Sequence, residues 1–216
     1  MNLEYVSFHH IKKSFQNPSL NIERLTINQG ECLIITGKNG SGKTTLLKII
    51  NGLIDADSGD INFKQKFFPA KKGHKLANHS VYLSSKTYLF NCSVERNLAY
   101  PLMIRNQFKI KQKVEQILHW AGLNHLRHRL PTNLSSGEIQ KVAIARARII
   151  NPPLWLLDEP TENLDADTKQ QIIELMLKLL HEQHSIIIVT HAKHLFKQIP
   201  HIDLQLKNGE LINGNH

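Results

Sequence analysis

Cysteines are few, and a charged-then-apolar start and long apolar runs are missing, in this sequence of 216 residues. Only two cysteines occur, Cys32 and Cys92, without the paired spacing of a zinc site or the density of a secreted disulfide scaffold. A reducing compartment suits them. The start, Met1 to Phe8, holds a glutamate and reads as a strand, so the positively charged and then apolar pattern of a leader is not there and no export is expected. The most apolar stretches, such as Leu154 to Leu157 and Ile186 to Val189, are far shorter than the roughly 20 residues a spanning helix needs. Internal repeats, low-complexity tracts and blocks of five or more basic residues are absent as well.

What is present is an ordinary globular composition, 41% hydrophobic and 21% charged, long enough to bury a core as one domain. The net charge of +9 fits nucleic acid, an anionic membrane surface, or a lysine background that helps bind anionic nucleotides. The last two are favoured, because Lys12-Lys13 and Lys71-Lys72 read as solvated loop charges, and no nucleic acid partner is expected.

Short apolar runs alternate with segments of helical period, the order of an α/β protein with a mostly parallel sheet. Leu33 to Thr36 reads as a buried strand, and Thr44 to Leu53 as a helix with Leu46, Leu47, Ile49, Ile50 and Leu53 on its inner side. Leu154 to Asp158 and Ile186 to Thr190 are strand-length apolar runs joined by a helical Asp167 to Gln183. Between about residues 94 and 150 the period is helical throughout, predicting a helical lobe with helices at Val94 to Ile104, Lys111 to Ala121 and Gly137 to Ile150. The tail, Ile202 to Leu206, Asn208-Gly209 and Glu210 to Ile212, reads as a hairpin.

Gly37-Lys38-Asn39-Gly40-Ser41-Gly42-Lys43-Thr44 fits a phosphate-binding loop and stands between the expected strand and helix. Its glycines let backbone N–H groups curl around an anion, Lys43 can reach the β and γ phosphates of ATP, and Thr44 can ligate Mg²⁺. Thr45 follows in the same helical turn and joins the nucleotide-binding candidates. Leu154 to Asp158 delivers Asp158 and Glu159 to the sheet edge where open α/β folds hold ligands. Asp158 can orient a metal shell, while Glu159 can act as a base toward water aimed at the γ phosphate. As a purely structural feature the same pair would serve as a helix N-cap.

Leu134-Ser135-Ser136-Gly137-Glu138, followed by Ile139 to Arg146, resembles the signature sequence of the ATP-binding-cassette (ABC) ATPases, and the order of motifs matches theirs. Taken alone, it is a capped helix start with an acidic first turn. The resemblance covers nearly the whole chain. It implies a P-loop NTPase core with a small N-terminal antiparallel β portion and a helical lobe, in a single ATPase domain over residues 1–216. It further implies that Phe15 stacks on adenine, that Thr161 to Asp165 forms a loop after the acidic strand, and that His191 contacts the γ phosphate and steadies Glu159. Ser135, Ser136, Gly137 and Glu138 would reach the nucleotide of a second cassette, in a homodimer or heterodimer closed around ATP. The family's usual arrangement couples that cycle to separate membrane permease subunits, with the ATPase peripheral on the cytoplasmic face.

The sequence departs from the family pattern at Ser85 (or Ser84), where a glutamine near Mg²⁺ is usual, so Ser85 is expected to contact the metal through water and turnover to be slow. Ser136 replaces a glycine, with backbone strain expected if a positive φ is required there, and Glu138 replaces a glutamine. His181 and His184 lie one helical turn apart but lack a third ligand, and Trp120 and Trp155 read as packing. Competing readings are a soluble cassette ATPase and a small-molecule kinase. Asp158 to Asp165 is similar to relatives in lipoprotein release and cell division, Tyr88-Leu89-Phe90-Asn91 to fused exporters, and the cargo stays open.

Overall fold

The computed structural model describes residues 4–14, 19–63, 66–70 and 79–214. In chain order the elements are β1 (Glu4–Lys13), β2 (Leu20–Asn28), β3 (Cys32–Thr36), α1 (Lys43–Asn51), β4 (Ser58–Phe63), β5 (Lys66–Pro69) and β6 (Ser80–Leu83). There follow α2 (Val94–Ile104), α3 (Ile110–Trp120), α4 (Ser136–Arg148), β7 (Leu154–Asp158), α5 (Ala166–His181), β8 (Ser185–Val189), β9 (Ile202–Lys207) and β10 (Glu210–Asn213). The chain divides into two compact units, one drawn from Met1–Tyr82, Pro153–Glu159 and Met176–His216, the other from Leu83–Pro152 and Pro160–Leu175.

The first unit holds two sheets. One is antiparallel, in the order β2-β1-β4-β5, with Phe8 opposite Leu25 on one side and Ile61 on the other. The second runs β10-β9-β3-β8-β7-β6, and its centre is parallel, β3 pairing with both β8 and β9 and β7 with β8. Strands β7 and β8 are buried at every position, as a parallel sheet covered on both faces requires, which is why their sequences are unbroken apolar runs. Trp155, fully buried, is core as expected.

The β9–β10 hairpin turns at Asn208 (φ 51°) and Gly209 (φ 82°), the left-handed pair a tight hairpin favours. The turn is anchored across the unit: the Asn21 N–H donates to Gly209 O at 2.8 Å, and a Cβ on Gly209 would lie 1.9 Å from Ser19 O. Helix α1 buries Leu46, Leu47, Ile49 and Ile50. Leu53 does not join them. The helix ends at Gly52 in a left-handed C-cap, which swings Leu53 outward to 61% exposure.

In the second unit α2, α3 and α4 pack on one another, and α2 occupies the span read from the sequence. The segment between β6 and α2 is strapped to them. Fully buried Asn97 donates to the Phe90 and Cys92 carbonyls (both 3.0 Å) and accepts from the Phe90 N–H at 2.9 Å. Arg146 of α4 donates to Tyr88 O at 2.8 Å and lies 5.3 Å from the centre of the Phe90 ring. Burial holds its guanidinium below the usual arginine range, although it stays charged. Trp120 packs in this unit under Arg148.

Candidate functional site

Strand β3 feeds directly into the glycine-rich loop, and the loop into α1. Gly37 must be glycine for space: a Cβ there would come within 2.5 Å of Leu206 O and 2.9 Å of Ser41 Oγ. Gly42 is the N-cap of α1 with φ 99°, and a Cβ would press on Leu20 Cδ2 at 2.8 Å. The first helical hydrogen bond is Leu46 N–H to Gly42 O (2.8 Å), so the N–H groups of Lys43, Thr44 and Thr45 are the open donors of a helix start. No side chain caps them and no acidic residue stands in the first turn, leaving the positive end of the helix dipole for an anion.

The loop closes on itself through the lysine. Lys43 Nζ donates to the carbonyls of Gly37 (2.8 Å) and Lys38 (3.0 Å), bringing the ammonium across the mouth of its own loop. Burial lowers its pKa, while the Glu159 and Asp158 carboxylates pull it partly back. Ser41 Oγ is buried in the loop with no hydrogen-bond partner among the described residues. Beside the loop lies a cleft of about 470 Å³, lined by residues 37–41 and by Gln205 to Asn208 of the hairpin.

The two acidic residues leave β7 in different directions. Asp158 Oδ2 accepts from the Thr44 hydroxyl at 2.8 Å and from the Tyr82 hydroxyl at 2.9 Å. Burial first, and Asp158 second, push the Tyr82 phenol well above its ordinary pKa, so it remains a donor. The Thr44 and Asp158 oxygens are a hard set that fits Mg²⁺, an ion that takes one or two protein ligands and fills its shell with water and phosphate oxygens. Glu159 has turned into the left-handed region at φ 49°, a conformation that costs a non-glycine residue on the order of 1 kcal/mol and persists where its surroundings over-determine it. Its N–H is held by Val189 O at 2.9 Å, and its Oε2 accepts from Thr190 Oγ1 at 3.0 Å. His191 Nε2 lies 3.5 Å from Glu159 Oε1 and 3.4 Å from Lys43 Nζ, with half its side chain exposed. Lys43, Thr44, Asp158, Glu159 and His191 thus meet at one edge of the first unit. The set can bind a polyphosphate, hold a divalent cation and accept a proton from water.

In the second unit, Ser135 and Glu138 build a capping box: the Glu138 N–H donates to Ser135 Oγ (3.2 Å) and the Ser135 N–H to Glu138 Oε2 (2.8 Å). Ser135 Oγ accepts in that bond and keeps its proton for another partner. Ser136 is the first helical residue and is absent from the positive-φ residues, so the strain expected at this departure does not arise. Gly137 is buried for a packing reason: a Cβ would lie 2.2 Å from Thr168 Cγ2. Asp165 caps the start of α5, accepting from the Thr168 N–H (2.8 Å) and hydroxyl (2.7 Å), and these bonds hold its carboxyl below the usual carboxylate range.

Ser85 is exposed, while the neighbouring Ser84 hydroxyl is spent on Lys86 O at 2.7 Å. Phe15 lies outside the described residues. His184 is buried edge-on to Trp155 at 6.2 Å, and among the described residues no group of three or more His, Cys, Asp or Glu could hold a metal. Sequence reasoning passed over Tyr82 and Thr190. Tyr82 is an ordinary strand residue and Thr190 stands just past the end of β8, and the role of each appears only when distant stretches pair.

The ABC transporter family profile matches residues 20–162. The ATP-binding protein LolD of the lipoprotein-releasing system of Idiomarina loihiensis is 38% identical over 86% of this chain and 84% of its own. A putative hemin import ATP-binding protein, HrtA of Staphylococcus saprophyticus, is 35% identical over 94% of this chain and 96% of its own. Among solved structures, cbiO1 from Clostridium perfringens, part of the ABC transporter complex cbiONQ, superposes with a TM-score of 0.87 at 27% identity, covering 97% of this chain and 88% of that one. An ATP-binding cassette of an ABC transporter in its ADP conformation superposes at 0.85 with 25% identity, over 98% and 92% of the two chains. With the phosphate loop, the paired carboxylates and the capped signature helix all in place, the chain belongs to the ABC transporter family, as its ATP-binding and ATP-hydrolysing component.

Proposed function

We propose that the chain works as one half of a dimer closed by two ATP molecules, peripheral on the cytoplasmic face of a membrane and coupled to separate permease subunits. The observation that supports this best is the meeting of Lys43, Asp158, Glu159 and His191, from three separate stretches, within 3.5 Å steps of one another or of Thr44. In this reading the N–H groups of residues 37–45 wrap the phosphates and Lys43 neutralises the β and γ groups. Thr44 and Asp158 hold Mg²⁺, which when bound would offset phosphate charge. Glu159 takes the proton of the attacking water, and His191 steadies it against the γ phosphate. Phe15 stacks on adenine, and Ser135 to Glu138 close the site of the partner cassette, the positive end of α4 and the free Ser135 proton facing its phosphate. Residues 1–216 act as one ATPase module with residues 94–150 as its helical lobe.

Cargo choice belongs to the permease in this proposal, since relatives of similar length are named for lipoprotein release and for hemin import. Ser85 in place of glutamine makes turnover slow, and Ser85→Gln raises kcat. An unchanged kcat would mean that Ser85 already serves. The direct test is ATP turnover and nucleotide binding side by side: Glu159→Gln keeps binding and loses turnover, Lys43→Ala loses both. Turnover persisting in Glu159→Gln would remove Glu159 from its role.

A further inference from the structure

The Glu159 carboxylate is gripped from one side by a residue that no motif contains. Thr190 follows the last residue of β8 and is fully buried. Its hydroxyl donates to Glu159 Oε2 at 3.0 Å and accepts from the Ala192 N–H, also at 3.0 Å. Its own N–H donates to Ile35 O at 3.2 Å, so the backbone carrying the hydroxyl is fixed to β3. The two bonds do different things. The first holds one carboxylate oxygen of a residue already locked at φ 49° and so leaves the other, buried Oε1, on the side of His191. The second folds residues 190–192 into a tight turn, and the residue inside that turn is His191, whose Nε2 lies 3.5 Å from the other oxygen of Glu159.

We infer that Thr190 is the positioning residue of the hydrolytic site, its single hydroxyl setting both the rotamer of Glu159 and the seat of His191. The inference rests on the reading of Glu159 as the base. A hydroxyl suits this place because it donates and accepts at once, which neither valine nor alanine can do. A carboxylate left to rotate would present its oxygen to water in the right geometry only part of the time, and a displacement on the order of 1 Å costs roughly a hundred-fold in rate. Binding should be spared, since the phosphate loop makes no hydrogen bond to Thr190 among the described residues.

The test is steady-state ATP turnover of the full chain as Thr190→Val, Thr190→Ser, Glu159→Gln and the double variant Thr190→Val/Glu159→Gln. Thr190→Val keeps size and the backbone bond to Ile35. It is expected to lower kcat about ten-fold or more with KM for ATP within about two-fold, and Thr190→Ser to restore most of the loss. In the residual turnover of Glu159→Gln the valine should cost less than in the native chain, because only the seat of His191 is left for it to disturb. Wild-type kcat in Thr190→Val, beside an inactive Glu159→Gln, would overturn the inference and leave Glu159 in place. A loss in kcat and KM together, not rescued by serine, would make Thr190 merely structural. Full turnover in Glu159→Gln would instead sink the reading of the base.

Discussion

At the scale of single residues, neighbours decide what each functional group is able to do. Cys32 is buried in β3, and burial, with Glu31 adding to it, pushes its thiol up to about 12 from the ordinary 9.0. The native state therefore holds that proton between pH 9 and about 12 while the unfolded chain releases it. The contribution is fully present below pH 9 and is lost as pH rises through the folded value, at up to about 1.4 kcal/mol per pH unit. Denaturant titrations from pH 8 to 11 should show this decline, flattened in Cys32→Ala, and native Cys32 should resist thiol reagents far longer than Cys92. Tyr82 offers a second check. Tyr82→Phe removes one of two donors to Asp158 and should cost about 1–2 kcal/mol of stability, measured in the same titrations. Gly137→Ala should cost about 1–3 kcal/mol, because Thr168 must move to admit the methyl group.

Among the elements, the capping box on α4 separates structure from activity. Glu138→Gln keeps an acceptor for the Ser135 N–H and should change stability by less than about 0.5 kcal/mol, whereas Ser135→Ala removes the N-cap and should cost about 1 kcal/mol in thermal unfolding. The elements were also where sequence was most legible. Strand β7 and helix α2 stand where their apolar patterns put them, because a doubly covered strand and an amphipathic helix write burial into local order. Leu53 was misread because helical period says nothing of where a glycine stops the helix. Tyr82 with Asp158, and Thr190 with Glu159, escaped because each pair joins residues far apart in the chain, and no local pattern marks a tyrosine in a strand or a threonine after one as a donor. The strain looked for at Ser136 is found at Glu159, where the chain leaves a buried strand end that had no turn residue to announce it.

For the whole molecule, the phosphate loop and the paired carboxylates form a self-consistent half-site on the first unit, and the capped start of α4 presents, on the second, a helix N-terminus and a hydroxyl proton that no acceptor takes among the described residues. In the proposed dimer, two copies related by a two-fold axis would satisfy both at once, each lending its signature helix to the other's nucleotide. Light scattering of purified Glu159→Gln with and without ATP tests that arrangement most directly. A dimer that forms only with ATP, and that disappears when Lys43→Ala is added, is the predicted result; a monomer that binds ATP fully and never dimerises would contradict it.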